Sequence, residues 1–408
     1  MNSNLPVLII GGGIVGLTLA QALRKARIPC VVFERDASLV ESSPGWGLTI
    51  HWALKAFEKC LPPQLAERLK GVQVDAEQGR HDTGRFLFLD LANAEPKYVI
   101  PPSERMRVHR KKLRALLSEG LPIRWRKTML SFTQTSGSVL AHFEDGTTFE
   151  GCLLVGADGS SSRSRRLLFA ATDPGLAELT ELPVKFMGVT VRLAPSQAQI
   201  LRDIDPLLFQ GSHAKTGVYM WYSTLSTPET NGSATTEGEE YYEGQLMMSW
   251  IYRGIDDVVP SSNADRIAKM RMMAHNFEPR LRSAFWAIPD NSEVVEIKLR
   301  DWPTRRWNNM DGRVTLVGDA AHAMTMFRGE AFNHGITDAA KLCDVLVGAS
   351  REGFDSESIQ DAVDAYEAEM RERTHDAVLL SRQACLDAHD LDSLSPDSPL
   401  VSRRARLD

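Results

Sequence analysis

Two short apolar runs, with a helical pattern between them, define the start of the chain. Val7–Ile10 is an apolar run typical of a strand, a helical pattern continues to about Ala26, and Cys30–Phe33 forms a second apolar run. A helix between two buried strands predicts a βαβ unit of about 30 residues. The N-terminal region is therefore expected to form part of an α/β domain.

Further along, the pattern changes from strands separated by helices to strands separated by turns. Residues 123–150 contain short apolar runs with a turn at Asp145-Gly146, which predicts a small antiparallel ribbon on the first domain. From Ala171 onward, longer strands carry apolar and aromatic residues on both faces, as expected for a second sheet buried on both sides. These longer predicted strands are Val184–Leu193, Val218–Ser223 and Gln245–Arg253.

The turn after the first strand carries the first chemical signal. Gly11, Gly13 and Gly16 follow the spacing G-x-G-x-x-G, and Glu34 ends the second strand. Gly11 permits a tight turn, Gly13 lets a pyrophosphate approach the backbone, and Gly16 lets the helix pack on the strand. The free N–H groups of the helix favour the pyrophosphate, and Glu34 is placed to accept hydrogen bonds from a ribose. The unit predicts an adenine dinucleotide, and both FAD and NAD fit it.

Two later strands also end in glycine and an acid. The run 153–155 leads into a GADG sequence containing Asp158 and Gly159, and the run 313–317 leads into a GDAAH sequence containing Asp319. Ligands of open α/β sheets bind at the carboxyl ends of strands, where both acids are predicted. Arg107 and Arg110, at the start of a basic helix, could supply a cation for phosphates, although such charges are usually solvated.

Composition excludes several classes of protein. The chain has 408 residues, a net charge of −6 and 43% hydrophobic residues, so it can bury large cores and has no broad basic field for nucleic acid. Its five cysteines are scattered, without a C-x-x-C or metal-ligand spacing, which suits a reducing compartment. No apolar run is long enough for a membrane helix, and no signal peptide is visible. We therefore expect a cytoplasmic protein without a metal site or an integral membrane segment.

Three separated motifs then align: G-x-G-x-x-G with Glu34, G-A-D-G-S-S-S-R-S-R and V-G-D-A-A-H, together with R-x-x-L at Arg110–Leu113. In this order they resemble the class A flavoprotein monooxygenases, similar to para-hydroxybenzoate hydroxylase, over roughly residues 5 to 390. Stretches such as GWGLTIHWAL and MFRGEAFNHGITDA resemble a fungal branch that modifies secondary metabolites.

The resemblance implies an α/β fold with a Rossmann-like FAD-binding domain, an inserted mixed or antiparallel β-sheet substrate domain and a long C-terminal helix. The expected FAD-binding domain is discontinuous and comprises residues 1–75, 98–172 and 287–350. The expected substrate domain comprises residues 76–97 and 173–286, followed by a C-terminal helix at 351–390 and a disordered tail at 391–408.

The resemblance also assigns cofactor-binding roles residue by residue. The three glycines would hold the FAD pyrophosphate, Glu34 the adenosine ribose, Arg110 the phosphates or ribityl chain, and Asp319 the ribityl hydroxyls. Asp158 and Gly159 lie in a motif linked to both FAD and NADPH. The backbone amides of the helix that begins near Glu330 would face the pyrimidine edge of the flavin; the residues concerned are Ala331, Phe332 and Asn333.

Departures from the family pattern concentrate just before that helix. Ala323 and Met326 stand where the family has prolines, and Arg328 and Ala331 stand where it often has glycine. A cation at Arg328 could support the anionic reduced flavin, which makes it a candidate catalytic residue. The alternative is an arginine of a solvent-facing loop.

Two further catalytic candidates lie in the second sheet. In Val184–Leu193, alternation places Arg192 on the face opposite Met187, where it could pair with a phenolate or enolate; alternatively it forms a structural salt bridge. Tyr222 belongs to a set of aromatic residues that could line a pocket, although about half of them should simply pack the sheet.

The implied activity is that of an NAD(P)H-dependent monooxygenase, in which O₂ adds at the flavin C4a atom and one oxygen passes to an aromatic or polyketide-like small molecule. The cofactor carries the oxygen chemistry, so no nucleophile triad is needed. The alternatives are an FAD-dependent dehydrogenase or reductase without oxygen transfer, and a non-catalytic FAD-binding redox module. A monomer or homodimer is expected.

Overall fold

The computed structural model of the chain describes residues 5–39, 45–236 and 238–402. The strands are, in chain order, β1 (Val7–Ile10), β2 (Cys30–Phe33), β3 (Gly47–Ile50), β4 (Phe86–Asp90), β5 (Glu95–Ile100), β6 (Met106–His109), β7 (Ile123–Arg124), β8 (Met129–Gln134), β9 (Val139–Phe143), β10 (Thr148–Gly151), β11 (Leu153–Gly156), β12 (Thr180–Glu181), β13 (Val184–Leu193), β14 (Leu208–His213), β15 (Val218–Ser226), β16 (Tyr242–Ile251), β17 (Val295–Glu296), β18 (Arg300–Asp301) and β19 (Val314–Leu316). The helices are α1 (Ile14–Lys25), α2 (Leu54–Cys60), α3 (Pro63–Arg68), α4 (Ala76–His81), α5 (Arg110–Ser118), α6 (Arg163–Phe169), α7 (Pro195–Arg202), α8 (Pro228–Asn231), α9 (Asn263–Met273), α10 (Pro279–Trp286), α11 (Asp319–His322), α12 (Ala331–Arg351) and α13 (Ser356–Asp387).

A five-stranded parallel sheet forms the centre of the first domain, with the strand order β19-β11-β1-β2-β7. Val7 of β1 lies opposite Leu153 of β11 on one side and Cys30 of β2 on the other. All four residues of β1 are buried, which explains why its sequence is a continuous apolar run. The predicted βαβ unit is present, and β11 and β19 return from distant parts of the chain to the same sheet.

The predicted antiparallel ribbon is a three-stranded sheet with the order β10-β9-β8. Phe33 at the end of β2 packs against Phe143 and Phe149 of this ribbon, with ring centroids 4.7 and 4.8 Å apart. The ribbon is therefore fixed beside the carboxyl end of the parallel sheet.

The second domain is built on a seven-stranded mixed sheet with the order β17-β13-β16-β15-β14-β4-β5. All its strand pairs are antiparallel except β14 with β4. Helices α7, α9 and α10 cover one face, where Met187 and Val189 pack with Ile267 and Leu281. The opposite face, called here the inner face, packs against Trp46, Phe327 and the end of the chain.

The sheet differs slightly from the expected domain boundaries. Strand β5 continues to Ile100, beyond the expected limit at residue 97, and β17 joins this sheet from within the range 287–350 expected for the first domain. The hydrogen bonds between neighbouring strands decide that β5 and β17 belong to this sheet, and the sequence pattern does not show those bonds.

The long C-terminal helix α13 begins at a capping box. The side chain of Asp355 accepts from the backbone N–H of Ser358 at 3.0 Å, and the Ser358 hydroxyl accepts from the Asp355 N–H at 3.1 Å. This satisfies two N–H groups at the helix start. Tyr366 and Met370 bury one stripe of the helix in the core of the first domain.

The prediction of a disordered tail is wrong for residues 391–402. Their apolar side chains are buried against the inner face of the second domain, and two of their carbonyls accept hydrogen bonds from its strand β5. Lys97 donates to the Leu391 carbonyl at 2.7 Å, and the Tyr98 hydroxyl donates to the Leu394 carbonyl at 2.6 Å. The polar composition suggested disorder, whereas four apolar side chains suffice to anchor the segment: Leu391, Leu394, Leu400 and Val401. The rest of the expected tail, residues 403–408, lies outside the described residues.

Candidate active site

The three glycines after β1 occupy three different environments. Gly11 has φ +116°, and a Cβ there would lie 2.4 Å from the carbonyl oxygen of Ala157. A Cβ on Gly16 would lie 2.2 Å from the carbonyl oxygen of Gly11, so α1 can pack on the turn only without a side chain. A Cβ on Gly13 would meet nothing within 4 Å. The space in front of Gly13, at the N-terminus of α1, is therefore open to a ligand, as the spacing predicts.

Glu34 is held in place by the same turn. Its Oε2 accepts from the Gly12 N–H at 2.8 Å and from Arg114 at 3.0 Å, and its Oε1 accepts from the Asp36 N–H at 3.0 Å. Arg114 also donates to the Gly12 carbonyl at 2.7 Å and to Asp36 at 3.0 Å. The sequence reasoning missed Arg114, although it follows Arg110 by four residues and so lies on the same face of α5.

These elements enclose a cleft of about 400 Å³ along the carboxyl edge of the parallel sheet. We call it the nucleotide cleft. Its wall is rich in cations, which suits a ligand with phosphate groups. Residues of its lining include Gly13, Glu34, Arg110, Asp158, Gly159 and Arg166.

Arg110 begins α5 and lines the nucleotide cleft together with Glu34 and Asp36. Burial lowers the pKa of its guanidinium and nearby Arg114 lowers it further, while Asp319, Asp36 and Glu34 raise it. Its charge therefore interacts both with Glu34 and with Asp319, and its contact with the cofactor stays a prediction.

The carboxylate of Asp158 mainly accepts hydrogen bonds from its own loop. It accepts from the Ser162 hydroxyl at 2.5 Å and from the backbone N–H groups of Arg163 and Ser164 at 2.8 and 2.9 Å. These bonds fix the start of α6, where Ser162 is the N-cap. Gly159 follows in a left-handed conformation with φ +78° and leaves its side open to the nucleotide cleft.

Arg165 connects the second and third sequence motifs. It is 1% exposed, and its guanidinium donates to the Ala320 carbonyl at 3.0 Å and lies 4.8 Å from the centroid of Trp302. Burial lowers its pKa to about 10. The two motifs, more than 150 residues apart, are thereby joined at the end of the sheet.

Asp319 is the first residue of α11, directly after β19. Its side chain is open to solvent beside the cleft, yet the surrounding protein raises the pKa of its carboxyl, while His322, Arg110 and Arg165 act in the opposite direction. Behind it, Asp338 accepts from His322 at 2.6 Å, from the Gly318 N–H at 2.7 Å and from Arg373 at 2.8 Å. This buried network, also missed from the sequence, fixes the turn that presents Asp319.

Ala331, Phe332 and Asn333 form the first turn of α12, as expected. The first hydrogen bond within the helix is donated by the His334 N–H to the Glu330 carbonyl at 3.0 Å, so the three preceding amides have no partner within the helix. The Asn333 side chain is 0% exposed; it accepts from the His51 N–H at 2.9 Å and donates to the Thr49 and Gly329 carbonyls at 3.2 Å each.

A second, smaller cavity of about 60 Å³ lies between this helix start and the inner face of the seven-stranded sheet. We call it the substrate-side cavity. Its wall is largely apolar and aromatic. Residues of its lining include Thr49, Phe86, Ile100, Trp221, Phe327 and Arg328.

The three predicted catalytic residues lie in three different places. Arg328 lines the substrate-side cavity, but it is buried and ion-paired with Glu330 at 2.7 Å, and it also donates to the Pro399 carbonyl. It is therefore not an arginine of a solvent-facing loop.

Tyr222 and Arg192 do not reach the cavity. Tyr222 is 0% exposed and packs on the helix-covered face against Phe209, and burial raises the pKa of its hydroxyl. Arg192 is exposed, with its guanidinium 4.5 Å from the centroid of Tyr241. Both predicted catalytic roles are contradicted by these positions, because the strand pattern shows the face of a residue but not what that face meets.

No helix among the described residues has both the length and the apolar character needed to cross a membrane. Within the same residues, no group of three or more His, Cys, Asp or Glu side chains is arranged to hold a metal ion.

Comparison with known proteins agrees with this geometry. The family described as "FAD binding domain" matches residues 4–227 and 279–381. The FAD-dependent monooxygenase dbaB of Emericella nidulans is 51% identical over 407 residues, which cover 99% of this chain and 94% of that protein. The FAD-dependent monooxygenase phnB of Penicillium herquei is 32% identical over 400 residues, covering 97% and 94%.

Solved structures share the fold at low sequence identity. The 2,6-dihydroxypyridine-3-hydroxylase from Arthrobacter nicotinovorans has a TM-score of 0.75 at 18% identity, covering 98% of this chain and 97% of that chain. Klebsiella pneumoniae HpxO, complexed with FAD and uric acid, has a TM-score of 0.72 at 18% identity, covering 96% and 92%. The chain therefore belongs to the FAD-binding-domain family, and it is an FAD-dependent monooxygenase of the fungal secondary-metabolism type.

Proposed function

We propose that the enzyme uses NADPH or NADH and O₂ to insert one oxygen atom into an aromatic or polyketide-like compound bound in the substrate-side cavity. One observation supports this location of the substrate. Phe327 and Arg328, just before α12, form one wall of this cavity, and Trp221 of the inner face forms another. A flat ligand there would lie between the expected flavin edge and the second sheet.

The residues of the nucleotide cleft fit FAD. The open space at Gly13 and the helix N-terminus suit the pyrophosphate, Glu34 suits a ribose, and Arg110 supplies a nearby positive charge. FAD, when bound, supplies the electron transfer and oxygen activation, and the protein supplies binding, orientation and exclusion of water.

The start of α12 would supply the electrostatics. The free amides of Ala331, Phe332 and Asn333, together with the helix dipole, favour negative charge at this end of the helix. Asn333 fixes their position because its side chain bonds to β3 and to the preceding loop. Preorganised donors of this kind stabilise charge without having to reorganise during the reaction.

The aromatic and apolar side chains of the cavity wall suit the ring of an aromatic substrate, but binding such a substrate requires an opening movement. About 60 Å³ holds only water-sized molecules, whereas an engineered cavity of about 150 Å³ accepts benzene. Pro101 and Ser103 form part of the wall in an exposed loop before β6, which is the segment best placed to move.

The substrate class is also supported by the relatives. Fungal monooxygenases match almost the whole chain, and the two fold relatives are described with 2,6-dihydroxypyridine and uric acid, which are flat and oxygen-rich. The sequence contains no second G-x-G-x-x-G, so a nicotinamide cofactor is proposed to bind only transiently.

The test is to purify the yellow holoenzyme and supply a panel of aromatic and polyketide-like phenols with NADPH or NADH. Faster consumption of the cofactor and incorporation of one ¹⁸O atom from ¹⁸O₂ into the product support the proposal. Substrate-dependent cofactor oxidation with no labelled product would instead favour an enzyme that does not transfer oxygen.

A further inference from the structure

The ribbon formed by β3 and β6 presents two different faces. Ile50 and Val108 are 0% exposed and pack in the core of the first domain. Because side chains alternate along a strand, Thr49 and its register partner Arg107 lie on the other face, toward the seven-stranded sheet.

Polar residues of the inner face meet the ribbon. The side chain of Gln245 accepts from the Gly47 N–H at 2.9 Å, and Ser223 is its register partner on β15. Gln210 is the register partner of Trp221, which lines the substrate-side cavity. The polar layer therefore continues from the ribbon to the cavity wall.

Several buried polar atoms of this layer are unsatisfied. Four buried side-chain atoms of this layer have no hydrogen-bond partner among the described residues: Arg107 Nε, His109 Nδ1, Gln210 Nε2 and Ser223 Oγ. Leaving such groups unpaired is unfavourable, and each unsatisfied group in a native protein calls for an explanation. Two of the four atoms, the guanidinium Nε of Arg107 and the amide Nε2 of Gln210, can only donate hydrogen bonds. The layer is therefore suited to a ligand with acceptor oxygens.

Arg107 adds an uncompensated charge to this layer. It is 4% exposed, and the one hydrogen bond found for its guanidinium among the described residues runs to the Thr49 hydroxyl at 2.9 Å. Thr49, its hydrogen-bond partner, lines the substrate-side cavity, and the two arginines of the cavity lining are paired, Arg105 with Asp82 and Arg328 with Glu330. Burial, with the nearby charge of Arg105, lowers the pKa of Arg107 to about 9. An isolated buried cation of this kind is expected to be paired by a ligand.

We propose that Arg107 is the residue that selects the substrate, by pairing with an anionic oxygen of an oxygen-rich aromatic compound, such as a phenolate or enolate. Gln210 and Ser223 bind its further oxygens. The inference rests on the proposed function for the location of the substrate, and it adds the charge class of that substrate and the residue that recognises it.

The test compares two probes that differ in ionisable oxygens, 2,4,6-trihydroxyacetophenone and its tri-O-methyl ether. Their dissociation constants are measured from the change in flavin absorbance on binding to the FAD-loaded oxidised enzyme. Wild type should bind the hydroxylated probe at least tenfold more tightly than the ether. Arg107→Gln should raise the dissociation constant of the hydroxylated probe at least tenfold without affecting the ether, and Arg107→Lys should recover part of the loss.

The control is Arg280→Gln, which removes an exposed arginine of α10 and should change neither constant. The proposal is overturned if wild type does not prefer the hydroxylated probe, if Arg107→Gln binds it as wild type does, or if that variant loses FAD, which would assign Arg107 to the cofactor. Failure of ¹⁸O incorporation with the probe preference intact would remove the proposed function and leave the anion site standing.

Discussion

Asn333 and His51, 282 positions apart in the chain, are joined by a hydrogen bond of 2.9 Å from the backbone N–H of His51 to the side-chain oxygen of Asn333. The amide nitrogen of the same side chain donates to the Thr49 carbonyl at 3.2 Å. One buried side chain thus joins β3 to the first turn of α12, which fixes the expected flavin edge against the ribbon that carries Arg107.

Replacing Asn333 by alanine should therefore weaken both stability and cofactor binding. The substitution leaves buried backbone groups of β3 without partners, which costs about 1–3 kcal/mol. Denaturant unfolding and FAD titration of the apoprotein measure the two effects. Asn93→Ala, in an exposed turn, is the control. An Asn333 variant that matches this control in both measurements would contradict the role given to the side chain.

Substitutions of two glycines in the first turn should affect folding and FAD binding differently. Gly13→Ala adds a methyl group in open space at φ −75°, so the apoprotein should keep its stability and lose FAD affinity. Gly11→Ala places a Cβ against the Ala157 carbonyl at φ +116° and should cost about 2 kcal/mol or more of folding free energy. Thermal unfolding of both apoproteins, with FAD titration, tests this contrast. Equal destabilisation by the two substitutions would be inconsistent with it.

Stability should fall as the pH decreases below neutrality, in part because of His334. Burial, with the charges of His322 and Arg373, lowers the pKa of His334 to about 3. In the unfolded chain the pKa of histidine is about 6.5, so between these values the unfolded state binds the additional proton and folding becomes less favourable. At pH 5 this amounts to about 2 kcal/mol relative to pH 7.

His334→Gln should remove that part of the pH dependence, as measured by urea unfolding of the holoenzyme at pH 7 and pH 5 with a fixed concentration of FAD. The exposed His81→Gln is the matched control. A variant at position 334 that loses as much stability on acidification as wild type would show that His334 is not responsible.

The packed C-terminal segment should contribute to stability. Leu400 is 0% exposed against the inner face, so Leu400→Ala should lower the free energy of unfolding by about 2–4 kcal/mol. Leu380→Ala, at a side chain 44% exposed on α13, should cost less than about 1 kcal/mol. Denaturant midpoints compare the two. If the Leu400 variant is as stable as the Leu380 variant, the segment does not pack as described.

Arg192 and Tyr222 should be dispensable for catalysis. Arg192→Gln removes an exposed side chain, and Tyr222→Phe removes a hydroxyl whose nearest partner, Thr224, is 3.5 Å away. Both variants should keep kcat/KM within about twofold of wild type, since Tyr222 packs on the helix-covered face of the sheet and Arg192 is exposed beside Tyr241. A tenfold loss in either one, with normal FAD content, would restore its predicted catalytic role.

The sequence predicted the cofactor end of the molecule better than the substrate end. The glycine spacing and Glu34 were readable because a local βαβ unit must satisfy local steric rules, and the structure shows those contacts at Gly11 and Gly16. Arg114 was not singled out, and Arg107 was considered only as a cation for phosphates, because a basic helix looks solvated in sequence and only the fold shows which of its side chains are buried.

What the sequence by itself determined is the α/β character of the first domain and, through the resemblance carried by three motifs after apolar strands, the family. The tertiary structure alone decided that Arg107 is buried with one hydrogen bond and no carboxylate partner among the described residues, which face of β15 meets the cavity, and that residues 391–402 are packed. The physical reason is that periodicity along a chain gives the face of each residue, whereas burial and charge pairing depend on segments that are distant in sequence.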